Sequence, residues 1–212
     1  MEITWLGHSC FVLKGKEKAI ITDPYRPELG YSLGQPQADI VTVSHFHPGH
    51  SYVEGVADSP RQVKCPGEYE IGNVFITGLP AYHDSEKGSA RGKNTIYLME
   101  MEGLTLCHLG DLGHPLAASL IEELGNCHIL FLPVGEVSTI SLETASEIVK
   151  QLTPHIVIPM HYKTPQLAKE LRGVDKFLGK MGVRNIEPKA KLSVTRSSLP
   201  DDLQIVVLSL GG

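Results

Sequence analysis

The sequence predicts an α/β fold, a single domain over residues 1–212 in which strands are covered by helices. Three observations carry this. The first forty-odd residues are short apolar runs separated by glycine or charged turns, the mark of a β meander. After Pro115 strand-like and helix-like segments alternate. Histidines and aspartates stand at or just beyond several of the strand ends, where a rim site would be built.

Taken in order, Ile3–Leu6, Cys10–Leu13 and Ala19–Thr22 read as strands, followed by Asp39–Ser44, which is rich in β-branched residues. His45 to about Asp58 reads as a loop passing into a weak helix. Val74–Leu79, Thr95–Glu100 and Leu104–Leu109 are strands, the last two joined as a hairpin across Met101, Glu102 and Gly103. Leu116–Leu124 has helical spacing, with Pro115 suited to its first turn. His128–Leu132 and Ile156–Pro159 are apolar strands, and Ser141–Leu152 is an amphipathic helix opened by Ser141. Gln166–Leu171 and Val174–Met181 are expected as short helices, and Leu203–Leu208 as a closing strand.

The bulk properties exclude several function classes. Of 212 residues, 42% are hydrophobic and 20% charged, as in ordinary globular proteins. The 19 basic and 24 acidic residues sum to −5, which leaves no nucleic-acid footprint. No polybasic run or apolar stretch suits a membrane, and the start lacks the pattern of a signal peptide, so a cytoplasmic location is expected. Cys10, Cys65, Cys107 and Cys127 are widely spaced, and buried reduced thiols are the favoured reading over ligands or disulfides. A homo-oligomer is compatible with the sequence.

The chemistry concentrates in the histidines. His45, His47 and His50 form H-x-H-x-x-H directly after a strand. In extended chain, residues two apart share a side, so two imidazoles can grip one ion while the third, past a turn, faces a neighbouring one. Imidazole suits zinc, iron, nickel and copper. Alone, the run could also be a solvated histidine-rich turn. Asp23, His83, Asp111 and His161, each at or beyond a strand end, make that reading harder to sustain.

In this order the residues resemble the metallo-β-lactamase superfamily, and look most similar to small hydrolases related to L-ascorbate-6-phosphate lactonase and the N-acyl-phosphatidylethanolamine phospholipase D group. The resemblance runs through Gly7-His8-Ser9, Thr22-Asp23-Pro24, Ser44 to His50, Tyr82-His83-Asp84, His108 to Asp111, and Pro159 to Tyr162. It implies an αββα sandwich with the site at one edge of the paired sheets. Carried over, it implies that His45, His47 and His83 hold a first metal, that His50 and His161 hold a second, and that Asp111 bridges them. Asp23 would hydrogen-bond a ligand imidazole from behind or serve mainly to end its strand before Pro24, and His8 reads either as a support for the ligands or as a buried hydrogen-bonding residue. One departure stands out. The family pattern is H-x-H-x-D-H, and Gly49 occupies the place of the aspartate that ligates the second metal. A looser second site is the expectation, with Asp84 or Glu54 as candidate replacements.

The expected activity is hydrolysis of a small-molecule ester, lactone or phosphodiester by a zinc-bound hydroxide, with one or two zinc ions and manganese, iron or nickel as substitutes. Asp111 would position the ions and take a proton. His114 is read either as a general acid or as a helix-entry residue before Pro115. His108 is expected to be buried and hydrogen-bonded, and His128 and His155 to be structural. Arg91 and Lys93 offer cations to an anionic substrate or lie in a solvated loop. The alternative function is a non-catalytic metal- or ligand-binding module of the same fold, for which Gly49 is the best support.

Overall fold

The computed structural model describes residues 1–184 and 186–211. The chain begins with three strands, β1 (Glu2–Gly7), β2 (Cys10–Lys14) and β3 (Ala19–Thr22), then β4 (Ile40–Thr42) and β5 (Arg61–Val63). The next four are β6 (Gly67–Ile71), β7 (Val74–Tyr82), β8 (Lys93–Met101) and β9 (Leu104–His108). Helix α1 (Ala118–Leu124), β10 (Ile129–Pro133), α2 (Leu142–Leu152), β11 (Ile156–Met160) and α3 (Val174–Lys180) then alternate, and β12 (Leu192–Ser193) and β13 (Gln204–Ile205) follow.

The strands form two mixed sheets. One runs β12-β1-β2-β3-β4-β5, the other β13-β11-β10-β9-β8-β7-β6. The principal core lies between them. Phe11 of β2 packs on Phe131 of β10, ring centroids 4.6 Å apart, and the Tyr97 hydroxyl of β8 donates to the Val43 and Val63 carbonyls beside β4 and on β5. Strands β10 and β11 are buried at every residue, as parallel strands covered on both faces must be. Helix α2 joins this core through Ala145, Ile148, Val149 and Leu152. On the outer side of the first sheet, Cys10, Ile21, Val41 and Val43 meet Tyr25, Tyr31, Val53, Leu167 and Leu171, which come from connecting segments.

The register explains where a site can form. β1 and β3 are each antiparallel to β2, and β3 is parallel to β4, so β1, β3 and β4 end at the same rim. In the second sheet β9, β10 and β11 are parallel, and β7 runs with them because each of β7 and β9 is antiparallel to β8. Six strands, three from each sheet, therefore deliver His8, Asp23, His45, His83, Asp111 and His161 just past their C-terminal ends.

The differences from the sequence reading have physical causes. β5, β6 and β12 have no counterpart in it, and β13 is shorter than the expected Leu203–Leu208 strand. All four are sheet edges; β5, β6 and β12 carry too little apolar pattern to be read, whereas the apolar run at β13 stays buried but leaves regular pairing after Ile205, the Val207 carbonyl accepting the Lys189 amide. Gln166–Leu171 is not a helix. Lys163 Nζ donates to the Leu167 and Lys169 carbonyls at 3.0 and 3.2 Å, while Leu167 and Leu171 turn into the outer core. Helix α1 starts at Ala118, beyond Pro115, because Leu116 is drawn into the core and the Pro115 carbonyl accepts from the His114 ring. Only a 3-10 turn, Val53–Gly55, appears where a weak helix is expected. Among the described residues no helix is long and apolar enough to cross a membrane.

Candidate metal centre

The rim gathers two groups of three imidazoles. His45, His47 and His83 form one, and His8, His50 and His161 the other; within each, ring nitrogens lie within 4.8 Å of one another. Asp111 sits between the groups. Its Oδ2 is 3.2 Å from His50 Nε2, 3.3 Å from His83 Nε2, 3.1 Å from His161 Nε2 and 3.8 Å from His45 Nε2. Neither Asp111 oxygen makes a hydrogen bond, nor does His45 Nε2 or His161 Nε2, and all are buried. Four imidazole nitrogens converge on one carboxylate oxygen, and the neutral His45 ring, with its proton on Nδ1, turns only a lone pair toward it. Buried polar atoms left unpaired in this number are costly, and divalent cations between the rings and the carboxylate would satisfy them. The donor set fits such ions.

The supporting hydrogen bonds fix which ring nitrogens point inward. Asp23 accepts from the Ser44 amide at 2.7 Å, from Ser44 Oγ at 2.6 Å and from His50 Nδ1 at 3.0 Å. Ser44 Oγ in turn accepts from His45 Nδ1 at 2.9 Å. Both imidazoles are thereby held with Nδ1 outward and Nε2 toward Asp111. Asp111 is set by Asn94, whose Oδ1 accepts the Asp111 amide at 3.0 Å and whose amide donates to the Leu109 carbonyl at 2.9 Å. Gly110, with φ of 57°, lets the turn close: a Cβ there would fall 2.4 Å from Asn94 Oδ1 and 2.7 Å from Ser44 Cβ. His8, Asp23 and His161 adopt left-handed conformations, with φ of 53°, 39° and 53°. Each costs about 1–3 kcal/mol, strain of the kind concentrated at functional sites.

Burial sets the charge states. It holds His45 down to about 2 and His83 to about 4, and lowers His47 and His161, so these rings are neutral and can donate lone pairs. His8 is pushed well below the ordinary histidine value, first by burial and then by His161 and His50. Burial opposes the charge on His50 too, but the Asp111 and Asp23 carboxylates raise it to about 9. Burial alone would raise the Asp111 carboxyl, yet the surrounding His161 and His50 hold it well below the usual range.

Every predicted ligand reaches this rim, with His47 exposed at its mouth and the others buried. His114 does not offer a free nitrogen: its Nδ1–H donates to the Pro115 carbonyl at 2.8 Å and its Nε2 accepts the Tyr82 amide at 3.1 Å. Asp84 is no replacement ligand, because its carboxylate accepts the amides of Glu86, Gly88, Ala90 and Arg91 and shapes their loop. Glu54 is exposed on the 3-10 turn. His108 is buried, donating to the Ser9 carbonyl and accepting the Gly110 amide. His128 accepts the Thr105 amide and His155 donates to the Pro200 carbonyl. Sequence reasoning missed Ser44, Asn94 and Lys169. Ser44 adjoins the histidine run, a usable signal; Asn94 and Lys169 carry none. Lys169, bonded to Ser138 Oγ at 3.3 Å, contributes to lowering His8, His47 and His161.

Two mixed sheets packed face to face, with imidazoles and a shared carboxylate on the rim of their strand ends, define a metal-binding α/β sandwich. The chain belongs to the β-lactamase superfamily, whose domain model matches residues 2–161. It is 28% identical to a UPF0173 metal-dependent hydrolase of Archaeoglobus fulgidus, over 80% of this chain and 87% of that one. It is 27% identical to one of Thermococcus kodakarensis, over 92% of this chain and all of the other. A solved structure from Thermotoga maritima, described as a Zn-dependent hydrolase of the metallo-β-lactamase superfamily, is 36% identical, covers 98% of this chain and 97% of its own, and superposes with a TM-score of 0.81.

Proposed function

We propose that the chain is a metal-dependent hydrolase that binds two divalent ions, zinc by preference, and acts on a small anionic ester, lactone or phosphodiester. The observation that carries the reading is the pair of imidazole groups flanking one buried, unbonded carboxylate. His45, His47 and His83 would hold one ion, His50 and His161 belong to the other, and Asp111 lies between. Imidazole with a single carboxylate suits zinc, and the relatives named metal-dependent hydrolases support the reaction class. Such ions supply Lewis acidity and acidify water to a pKa of ~7, giving a nucleophile at neutral pH.

The chain's own groups do the rest. Asp111, kept ionised, holds the two halves of the site in register and is a buried carboxylate placed to take a proton from the nucleophile. Asp23 and Ser44 stop His45 and His50 from rotating. Phe46 and Val137, 70% and 63% exposed, offer an apolar surface near the mouth, and Lys169 favours a negative charge on the substrate. The test is Asp111→Asn assayed on phosphodiesters, lactones and esters with zinc and manganese. Asn keeps the shape and loses the charge, so turnover should fall by at least ~10²-fold while His114→Ala stays within about tenfold of the parent. Undiminished turnover in Asp111→Asn refutes the mechanism. No turnover in any class by a fully loaded parent would favour a binding protein.

A further inference from the structure

We infer that His8 is itself a metal ligand, completing the second centre with His50, His161 and the shared Asp111, in the place that Gly49 leaves without a side chain. The inference rests on the two-metal reading above and goes beyond it by assigning a ligand from outside the histidine run.

Space is the first argument. A Cβ built on Gly49 would lie 3.4 Å from His8 Nε2 and 3.5 Å from its Cδ2, in ordinary contact, so the His8 ring stands directly beside the position from which an aspartate would reach the second centre. Gly49 is not among the glycines with a left-handed backbone. What matters there is the missing side chain, not the freedom of glycine's dihedrals. With no side chain from position 49, His8 is the buried imidazole that stands with His50 and His161 at this centre.

Unpaired valence is the second. His8 is 1% exposed, and its buried Nδ1 has no hydrogen-bond partner. His108, a buried histidine outside the site, behaves differently and commits both ring nitrogens to backbone groups. The His8 ring instead stands with its centroid 4.1 Å from that of His161 and 4.9 Å from that of His50. A divalent cation among the three buried imidazoles would satisfy nitrogens that lie within 4.8 Å of one another.

Rigidity is the third. His8 follows β1 in a left-handed conformation, and its carbonyl accepts both the Trp5 indole N–H at 3.0 Å and the His161 amide at 3.1 Å. The two residues are thus locked to each other through the backbone, as a pair of ligands on one ion should be.

The experiment compares zinc content, by elemental analysis after stripping, reloading and desalting, in the parent, His8→Asn, and His8→Asn combined with Gly49→Asp. Asparagine tolerates the left-handed conformation, so the fold should survive. The parent should hold about two ions per chain, His8→Asn about one, and the double variant should regain the second, because the carboxylate enters the space the ring vacates. A zinc anomalous map of the parent should put a His8 nitrogen about 2.0–2.1 Å from an ion. Two ions retained by His8→Asn with unchanged resistance to chelator, or a map with both His8 nitrogens out of bonding range, overturns the assignment. A parent with zinc only among His45, His47 and His83 overturns it while leaving the first centre standing. A parent that takes up no zinc overturns the two-metal reading, and this inference with it.

Discussion

Asp23 commits both carboxylate oxygens to Ser44 and His50, and through Ser44 it also orients His45. Asp23→Asn should therefore weaken metal binding by roughly 10–100-fold without removing a ligand, since an amide would place a donor against the donors it now accepts. Competition with a chromophoric chelator measures this; an unchanged affinity would show that the ring orientations need no such support. His50 predicts a pH dependence. Its pKa in the metal-free protein is raised to about 9, against 6.5 ordinarily, so below about pH 9 it carries a proton that a metal must expel. Apparent affinity should rise with pH up to that point, and uptake at pH 7 should release a proton, visible by calorimetry in buffers of different ionisation enthalpy. Affinity flat between pH 7 and 9 would contradict it. At this scale the sequence was readable wherever a residue type announces its chemistry. The histidine run and the strand-end Asp111 and His161 did so; Asn94, an amide in a strand, did not, because its role depends on which turn packs against it.

Among the elements, α2 is the one whose start is written locally. Ser141 lies at its N-cap and accepts the Thr144 amide at 3.2 Å, and the apolar positions Ala145, Ile148, Val149 and Leu152 fall on the buried face. Ser141→Ala should lower stability by about 1 kcal/mol in urea unfolding and leave metal content unaltered. A change in metal content instead would mean that α2 positions the rim. Strands with one or two buried faces, such as β3 and β11, were legible for the same reason: their residues carry the pattern of their burial. The edge strands were not. Arg61–Val63 and Gly67–Ile71 are largely exposed and become strands because a neighbour offers its free backbone groups. Gln166–Leu171 shows the converse, helical spacing overruled by a lysine that takes its carbonyls and an apolar core that takes its leucines.

For the molecule as a whole, the proposed metal centre would double as a clasp. It draws on the ends of β1, β3 and β4 in one sheet and β7, β9 and β11 in the other. Removing metal should then loosen the packing of sheet on sheet. Thermal unfolding should shift to lower temperature with chelator and return with zinc, the ion adding about 2.7 kcal/mol when free zinc is a hundred times its Kd. Identical transitions with and without chelator would mean that the core alone joins the sheets.

The sequence by itself determined the α/β class, most of the buried strands and helices, and the set of strand-end histidines and aspartates, because periodicity, capping and residue chemistry are local properties carried by each segment wherever it lies. Only the tertiary structure decided that His8 stands beside Gly49 and among His50 and His161. His8 and Gly49 are separated by three strands in the chain and meet because β1 and β4 end at the same rim. No spacing in the sequence encodes which side chains meet across that rim.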